Sequence, residues 1–233
     1  MNGFGDVLTF LQGNSDAAVA IRLFMATVFG SVVGWERIAR HHNAGIKTHA
    51  LVSLGSAMAT ALNIYLALLP GLNADVSRIP AGVVSGIGFL GAGTILVTGR
   101  KQIRGLSTAA TLWVTSCMGL AIGAGYVVVG FVCFLLIAFC NFVLIQFSTH
   151  VEQNSRYMSI YIEVAKNSGV NKLSKWMDEQ NFSIVSMTKN KEKTLQSSDT
   201  GLMIDLDLGR KLNHDGLINT ISDLEYVNYV EEV

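Results

Sequence analysis

The stretch Arg78–Trp113 reads RIPAGVVSGIGFLGAGTILVTGRKQIRGLSTAATLW. It is apolar and rich in glycine, contains no acidic residue, and is interrupted once by the basic segment Arg100–Arg104. Two apolar runs flanking a short basic connector are typical of a membrane protein, because hydrocarbon excludes unpaired charge and a helix needs about 20 residues to cross it. The glycines predict close approach between helices. The stretch therefore predicts a membrane domain whose working surface lies between helices.

The composition of the whole chain supports a membrane protein with a second, more polar part. Half of the residues are hydrophobic, 15% are charged, and the mean hydropathy is +0.42, which is unusual for a soluble domain. Residues 1–148 hold eight Lys/Arg and four Asp/Glu, whereas residues 149–233 hold nine and thirteen. This shift near His150 predicts a domain boundary, with a membrane domain over 1–148 and a second domain over 149–233.

Five apolar segments of the first domain have the length of membrane spans. They cover about 17–35, 48–69, 80–98, 106–125 and 127–147. The first segment is too long, and too polar at its flanks, for a cleaved signal peptide. We therefore expect a membrane α-helical bundle of five transmembrane helices.

The orientation of these spans follows from the basic residues in the short loops. Lys and Arg concentrate in loops 36–47 and 99–105, whereas loops 70–79 and 124–126 hold only Arg78. Positively charged loops stay in the cytoplasm. Five spans then place the N-terminus outside and the acidic C-terminal domain in the cytoplasm.

The C-terminal domain shows the alternation of strands and the periodicity of helices. Strands are predicted over Tyr157–Val164, Phe182–Asn190, Leu202–Leu208 and Tyr226–Val230, and helices over Gly169–Asn181 and Asn213–Leu224. In the first strand, alternate apolar residues predict one buried face. The order βαββαβ is that of the ferredoxin-like, α+β arrangement.

A GxGxxG pattern, Gly86-Ile-Gly88-Phe-Leu-Gly91, resembles a dinucleotide-binding motif. That motif requires a preceding strand and an acidic residue about 20 positions later. Here the pattern lies inside an apolar span, and the next acidic residue is Glu152. We therefore interpret the glycines as helix-packing positions. GxxxG pairs that favour close helix contacts occur at Gly82/Gly86, Gly30/Gly34 and Gly119/Gly123.

Other reactive side chains do not form a recognisable constellation. The three cysteines fall within spans 4 and 5 without a CxxC pattern, and His41-His42 has no nearby carboxylate or thiolate to complete a metal site. No nucleophile–base pair and no carboxylate dyad is visible. We therefore expect no enzymatic activity, catalytic residue, metal site, cofactor or nucleic-acid partner.

Ionisable groups at the ends of span 1 are stronger candidates for a functional site. Arg22 lies about five residues inside the span, where a charge is costly unless it reaches the interface or a partner. Glu36 and Arg40 have the i,i+4 spacing of a helical ion pair. These groups are interpreted either as interfacial anchors or as a polar site in which Glu36 meets basic groups of the second cytoplasmic loop.

Several of these segments together resemble the MgtC/SapB family. The resemblance rests on Arg22-Leu23, Gly34-Trp35-Glu36-Arg37, the run Ala44–Leu51 (AGIKTHAL), the run Ser85–Gly93 and the run Gly105–Trp113 (GLSTAATLW). It covers spans 1 to 4, in order. Longer members of that family are similar to this chain in having a cytoplasmic ACT-like domain, which has the βαββαβ order.

The resemblance implies a bacterial inner-membrane regulator that adapts the cell to low magnesium, acid stress or life inside host cells during virulence. It implies membrane-protein partners, including the membrane sector of the F-type ATP synthase, and allows a homodimer through the C-terminal domain. The residues that it singles out as a polar membrane site are Arg22, Glu36, Arg37, Lys47, Thr48, His49, Arg104, Thr108 and Trp113. The helix-packing or partner face is Gly82, Gly86, Gly88, Gly91 and Gly93.

A small transporter or channel for Mg²⁺, H⁺ or phosphate-linked transport is the alternative, with Arg22 and Glu36 lining a polar path. A dedicated Mg²⁺ path would require several oxygen ligands, yet spans 2 to 5 contain no Asp or Glu.

Overall fold

The computed structural model describes residues 3–40, 44–72, 74–97, 103–165, 169–189, 194 and 199–232. Three residues of the basic segment, Arg100, Lys101 and Gln102, lie outside the described residues, as does the pair His41-His42. The chain forms two compact units. One comprises the residues up to Leu96 together with Ile103–Leu144, and the other includes Ile145–Val233.

The first unit is built from apolar helices, as the hydropathy pattern predicts. In chain order the helices are α1 (Gly3–Gln12), α2 (Asp16–Ala39), α3 (Ile46–Leu68), α4 (Arg78–Ala92), α5 (Leu106–Gly123) and α6 (Val127–Phe139). A π-helical stretch follows at Cys140–Leu144, and the next helix in the chain, α7 (Ile145–Glu152), belongs to the second unit. Helix α1 lies in a region for which the sequence pattern predicts no element.

Four helices of the described chain are long and apolar enough to cross a membrane. They are Asp16–Ala39, Ile46–Leu68, Leu106–Gly123 and Val127–Ser148. The prediction of a third span over 80–98 is wrong in its extent, because α4 ends at Ala92 and has 15 residues. At 1.5 Å per residue α4 is about 22 Å long, shorter than the hydrocarbon layer of about 30 Å.

The end of α4 has a local cause. The Thr94 hydroxyl donates a hydrogen bond of 2.8 Å to the Gly91 carbonyl, an acceptor that a continuing helix would use for its own backbone. The chain then forms β1 (Leu96–Val97), which pairs with β2 (Ile103–Arg104). Gly105, the N-cap residue directly before α5, has φ +96° and lies so close to the Thr94 carbonyl that a Cβ would overlap it. Only glycine accommodates both constraints.

The helix ends meet in two groups, which we call the Arg37 end and the Arg22 end of the helical unit. At the Arg37 end, the C-terminus of α2 is bonded to the N-terminus of α5, and the Thr94 hydroxyl lies 3.4 Å from the Gly105 carbonyl. At the Arg22 end, the Asn63 amide of α3 donates a 2.7 Å hydrogen bond to the Val76 carbonyl just before α4. Helix α4 with its following turn therefore leads from the Arg22 end back to the Arg37 end.

Glycines allow α2 and α5 to pack closely on α3. A Cβ added at Gly30 would lie 2.6 Å from the His49 carbonyl oxygen, and one at Gly34 would lie 2.5 Å from the Gly45 carbonyl oxygen. On α5, Cβ atoms at two further glycines would overlap the backbone of α3; these are Gly119, at Ser53, and Gly123, at Ala57. Both GxxxG pairs, Gly30/Gly34 and Gly119/Gly123, therefore lie at helix contacts, as predicted.

The second unit contains the predicted strands and helices. They are β3 (Tyr157–Ala165), α8 (Gly169–Glu179), β4 (Ser183–Lys189), β5 (Asp199–Asp207), α9 (His214–Ser222) and β6 (Val227–Glu232). The strands form one antiparallel sheet in the order β4-β5-β3-β6, in which Ile160 pairs with Ile204. Asn213 is the N-cap of α9, and its side chain accepts a hydrogen bond from the Gly216 N–H at 3.0 Å.

The core of the second unit lies between the helices and one face of this sheet. Alternate residues of β3 are buried in it, namely Met158, Ile160, Ile162 and Val164, and they meet Leu173 and Met177 of α8. The opposite face of β3 is not fully exposed to solvent. Tyr161 and Glu163 are also buried there, and the Tyr161 hydroxyl donates a 2.8 Å hydrogen bond to Glu163.

Candidate functional site

The residues predicted to form one polar membrane site separate into two groups on α2. Arg22 and Glu36 lie on the same continuous helix, 14 residues apart, which corresponds to about 21 Å along the axis. Arg22 belongs to the Arg22 end, whereas Glu36 and Arg37 belong to the Arg37 end. The uninterrupted helix therefore holds these two groups apart, and they do not contact each other.

Arg37 connects two helices at the Arg37 end. Its side chain is buried, with 1% exposure. Nη1 donates to the Ser107 hydroxyl at 3.1 Å, and Nη2 donates to the Thr108 hydroxyl at 2.8 Å. Hydrogen bonds from a charged donor are stronger than neutral ones. Arg37 thus ties the end of α2 to the first turn of α5, and Ser107 joins the predicted Thr108 as a site residue.

Glu36 lies beside Arg37 and pairs with the next turn of its own helix. Its Oε1 is 2.7 Å from Arg40 Nε, which confirms the predicted i,i+4 ion pair. The two groups are not aligned as a hydrogen bond, and neither carboxylate oxygen of Glu36 has a hydrogen-bond partner among the described residues. The carboxylate is nevertheless buried. A buried carboxylate held mainly by charge is typical of a functional rather than a packing position.

His49 adds a titratable ring to the same end. It is fully buried on α3, within electrostatic range of Arg37 and Glu36. Nδ1 lies 2.9 Å from the Gly45 carbonyl oxygen, which can only accept, so Nδ1 carries the proton. Nε2 is buried and has no partner among the described residues. The ring therefore presents an acceptor nitrogen to the interior of the bundle.

A row of buried polar residues continues from His49 along one side of α3. The spacing of three and four residues keeps them on one helix face, and the row comprises His49, Ser53, Ser56, Thr60 and Asn63. The Ser56 hydroxyl lies 2.8 Å from that of Ser116 on α5. Within the described chain, the hydroxyls of Ser53 and Thr115 are buried without a partner. Only His49 of this row is among the predicted site residues, although the helical spacing of the row is visible in the sequence.

Four of the predicted site residues are exposed instead. Lys47 and Thr48 are exposed on the first turn of α3, and Trp113 of α5 is 48% exposed. Arg104 is exposed in β2. The structure therefore brings together Glu36, Arg37, His49, Ser107 and Thr108, and it places Lys47, Thr48 and Trp113 outside that cluster.

Arg22 occupies a different environment at the other end of α2. It is 1% exposed, and its Nε and Nη1 are buried without a partner among the described residues. A Cβ added at Gly125, in the turn between α5 and α6, would lie 2.7 Å from Nη1. The guanidinium therefore lies between this turn and a groove formed by α2 and α3.

The glycines of α4 differ from those of α2 and α5. A Cβ at Gly82, Gly86 or Gly88 would meet no atom within 4 Å, so these glycines do not mediate a helix contact among the described residues. Gly91 lies against α5, where its Cβ would be 3.4 Å from the Ala109 Cβ, and Gly93 would meet only its own helix. Most of the predicted partner face of α4 therefore makes no contact with other helices among the described residues.

A shallow groove between α3 and α4 lies beside this face. It has a volume of about 390 Å³. Its lining combines small residues with aliphatic walls and is formed by Leu51, Val52, Gly55, Ser56, Val83, Gly86, Ile87, Leu90 and Ser116. Leu51 and Leu90 are each more than half exposed. Grooves with glycine in the floor admit the close approach of another helix.

Within the described residues, no three His, Cys, Asp or Glu side chains come together in a group suited to hold a metal ion. The polar cluster at the Arg37 end instead combines one carboxylate, two arginines and one imidazole. Such a set suits electrostatic interaction or proton exchange.

Comparison with known proteins gives a match over the helical unit. The model of the MgtC family matches residues 23–150. A protein of Escherichia coli (strain K12), provisionally named as the magnesium transporter YhiD, is 42% identical over 113 residues, which are 47% of this chain and 52% of the relative. Protein MgtC of Brucella abortus (strain 2308) is 41% identical over 111 residues, which are 48% of this chain and 44% of the relative.

An uncharacterised protein of Haemophilus influenzae is 36% identical over 126 residues, which are 52% of this chain and 53% of the relative. The chain thus spans about half the length of the curated relatives that it matches. No solved structure matches the chain.

Proposed function

Since the chain belongs to the MgtC family, whose model covers more than half of its residues, we propose that it is a non-enzymatic regulator of the bacterial inner membrane. In this proposal it binds other membrane proteins, among them the membrane sector of the F-type ATP synthase. The setting would be adaptation to low magnesium, acid stress or intracellular survival. The magnesium-related name of the Escherichia coli relative is consistent with a role in magnesium homeostasis.

The observation that carries this proposal is the groove between α3 and α4. Gly55 and Gly86 lie in it, and a Cβ at either position would meet nothing within 4 Å. A partner helix can therefore approach the backbone closely, which is the main source of helix affinity in a bilayer. The walls of Leu51 and Leu90 would supply the remaining contact area.

The proposed topology places the Arg37 end in the cytoplasm. Arg37, Arg40, Lys47 and Arg104 belong to this end, and the positive-inside rule favours the cytoplasm for such a concentration of Lys and Arg. Helix α4 leads from the Arg22 end to the Arg37 end, so it counts as a crossing together with its following turn. Five crossings then put the N-terminus outside and the acidic C-terminal unit in the cytoplasm.

We propose further that the C-terminal unit is an ACT-like domain. Its βαββαβ order and its antiparallel sheet, with β4 and β6 as the outer strands, support this assignment. On the outer strand β4, Val185 is 65% exposed. An outer strand such as β4 can pair with the same strand of a second copy of the domain. A homodimer through this unit is therefore part of the proposal.

The regulator hypothesis is tested by two leucine substitutions on α4. Gly86→Leu would fill the groove. Gly88→Leu makes the same chemical change at a position that belongs to the predicted partner face but does not line the groove, so it separates the groove from the rest of that face. We expect Gly86→Leu to abolish co-purification with the ATP synthase membrane sector from native membranes, and Gly88→Leu to preserve it. Both variants should insert normally. Unchanged co-purification of Gly86→Leu would contradict the proposed docking groove.

A small ion transporter is the second candidate function, and the buried polar row of α3 favours it. The row starts at the titratable His49 and ends at Asn63 near the Arg22 end. Purified protein in liposomes should then show flux of H⁺, Mg²⁺ or phosphate that Glu36→Gln reduces. Absence of flux for all three ions would count against transport and leave the regulator hypothesis unaffected.

A further inference from the structure

The buried guanidinium of Arg22 carries a charge that no described residue neutralises. It is 1% exposed, yet Nε and Nη1 have no hydrogen-bond partner among the described residues. Within the same residues no carboxylate lies at ion-pairing distance from it. A guanidinium buried in a membrane-spanning helix is costly unless an anion compensates it.

The groove beside Arg22 has the shape and polarity of an amphiphile site. It lies between α2 and α3 and has a volume of about 410 Å³. One part is apolar, with walls that include Leu23, Met58, Leu62 and Leu68. Met58 and Leu62 are each more than two-fifths exposed, so the apolar walls of the groove are accessible from outside the helical unit.

The other part of the groove carries both signs of charge at different depths. Asp16, in the first turn of α2, also lines it and is exposed. Asp16 precedes Arg22 by six residues, which places its Cα about 9 Å nearer to the end of the helix. The positive charge of Arg22 therefore lies farther from the end of α2 than the negative charge of Asp16.

We propose that this groove binds a glycerophospholipid with a primary ammonium headgroup, such as phosphatidylethanolamine. In that lipid the phosphodiester lies nearer to the acyl chains than the ammonium does. This order matches Arg22, which lies deeper along α2 than Asp16. The planar guanidinium suits a phosphate, because two N–H groups can donate to two oxygens. The acyl chains would follow Met58 and Leu62. The inference does not depend on the proposed regulatory function.

Native mass spectrometry of the full chain, delipidated in detergent, tests this inference. The probes are phosphatidylethanolamine, phosphatidylglycerol and phosphatidylcholine with identical oleoyl chains. Wild-type protein should bind phosphatidylethanolamine most tightly. Arg22→Gln should weaken that binding roughly tenfold or more, as expected from losing hydrogen bonds to a charged group. Asp16→Asn should reduce the preference for phosphatidylethanolamine over phosphatidylglycerol.

Two further variants serve as a control and as a second test of the binding site. Arg78→Gln removes one exposed arginine at the start of α4, near the same end, and should bind like the wild type. Ala20→Phe keeps Arg22 but adds bulk to the groove lining, so it should weaken binding even if Arg22→Gln fails to fold. Equal binding of phosphatidylethanolamine by wild type, Arg22→Gln and Ala20→Phe would overturn the proposal. Equal affinity of the wild type for all three lipids would do so as well.

Discussion

Replacing Gly30 by alanine adds one methyl group at the closest approach of α2 to α3. The new Cβ would lie 2.6 Å from the His49 carbonyl oxygen and 2.9 Å from the Ser53 Cβ. Ordinary van der Waals contacts of a Cβ begin at 3.4 Å. The two helices must therefore separate locally by the difference, about 0.8 Å, and neighbouring contacts in the packed interior are loosened as a result.

The expected cost follows from this forced separation. Inserting a methyl group into a well-packed core costs about 1–3 kcal/mol. Alanine also has a higher helix propensity than glycine, which offsets about 1 kcal/mol. Gly86→Ala is the matched control, because it makes the same exchange within a helix but meets nothing within 4 Å. The difference between the two variants isolates the clash.

We expect Gly30→Ala to be less stable than Gly86→Ala by about 1–3 kcal/mol, which is about 5- to 150-fold in the unfolding equilibrium. The measurement is equilibrium unfolding of the full chain in mixed micelles of a mild detergent and sodium dodecyl sulfate, followed by far-ultraviolet circular dichroism. Equal unfolding free energies of the two variants would refute the assignment of Gly30 to a tight helix contact.

Two further predictions concern polar contacts. Thr108→Val removes the acceptor of Arg37 Nη2 and should cost about 1.5–3 kcal/mol in the same unfolding assay. Thr48→Val on the exposed surface should change stability by less than about 0.5 kcal/mol, and similar effects of the two substitutions would contradict the role of Arg37 in joining α2 to α5. Hydrogen bonding from Arg156 holds the pKa of Asp207 below its ordinary value, so the carboxylate stabilises the fold above about pH 4 and this contribution is lost as the pH falls through the lowered pKa. Between about pH 7 and pH 3, the thermal stability of wild-type protein should therefore fall further than that of Asp207→Asn, and equal losses would contradict this.

The C-terminal elements could be predicted because their signals are local. Alternation from Met158 to Val164 reports which side of β3 is buried, since successive side chains of a strand point to opposite faces. The same alternation did not predict the burial of Tyr161 and Glu163 on the other face. That burial depends on what covers the sheet, which a period of two residues does not contain.

The extent of α4 could not be predicted from hydropathy. The apolar run continues through Thr94 to Val97, so a hydropathy reading extends the span to residue 98. The helix instead ends where the Thr94 hydroxyl donates a hydrogen bond to the Gly91 carbonyl and where Gly105 packs against the Thr94 carbonyl. Gly105 is 11 residues away from Thr94, and no periodic pattern in the sequence links these two residues.

Contacts within one helix could be predicted from the sequence, whereas contacts between helices could not. The i,i+4 pair of Glu36 and Arg40 is visible in the sequence because one helix turn brings the two together. The contact of Arg37 with Thr108 spans 71 positions and needs the packing of α2 on α5. The family resemblance names Arg22 together with these residues, and only the continuous helix α2 shows that Arg22 lies near its other end.

Composition, charge and local periodicity therefore determined the broad organisation, with apolar helices first and a strand-containing region after them. They did so because hydrophobic spacing and strand alternation are properties of neighbouring residues. Tertiary structure alone decided which glycines are pressed against a helix and which remain open, as Gly30 and Gly86 illustrate. Both stand in the same kind of GxxxG pair, and only the distance to the facing backbone distinguishes a packing contact from an open docking surface.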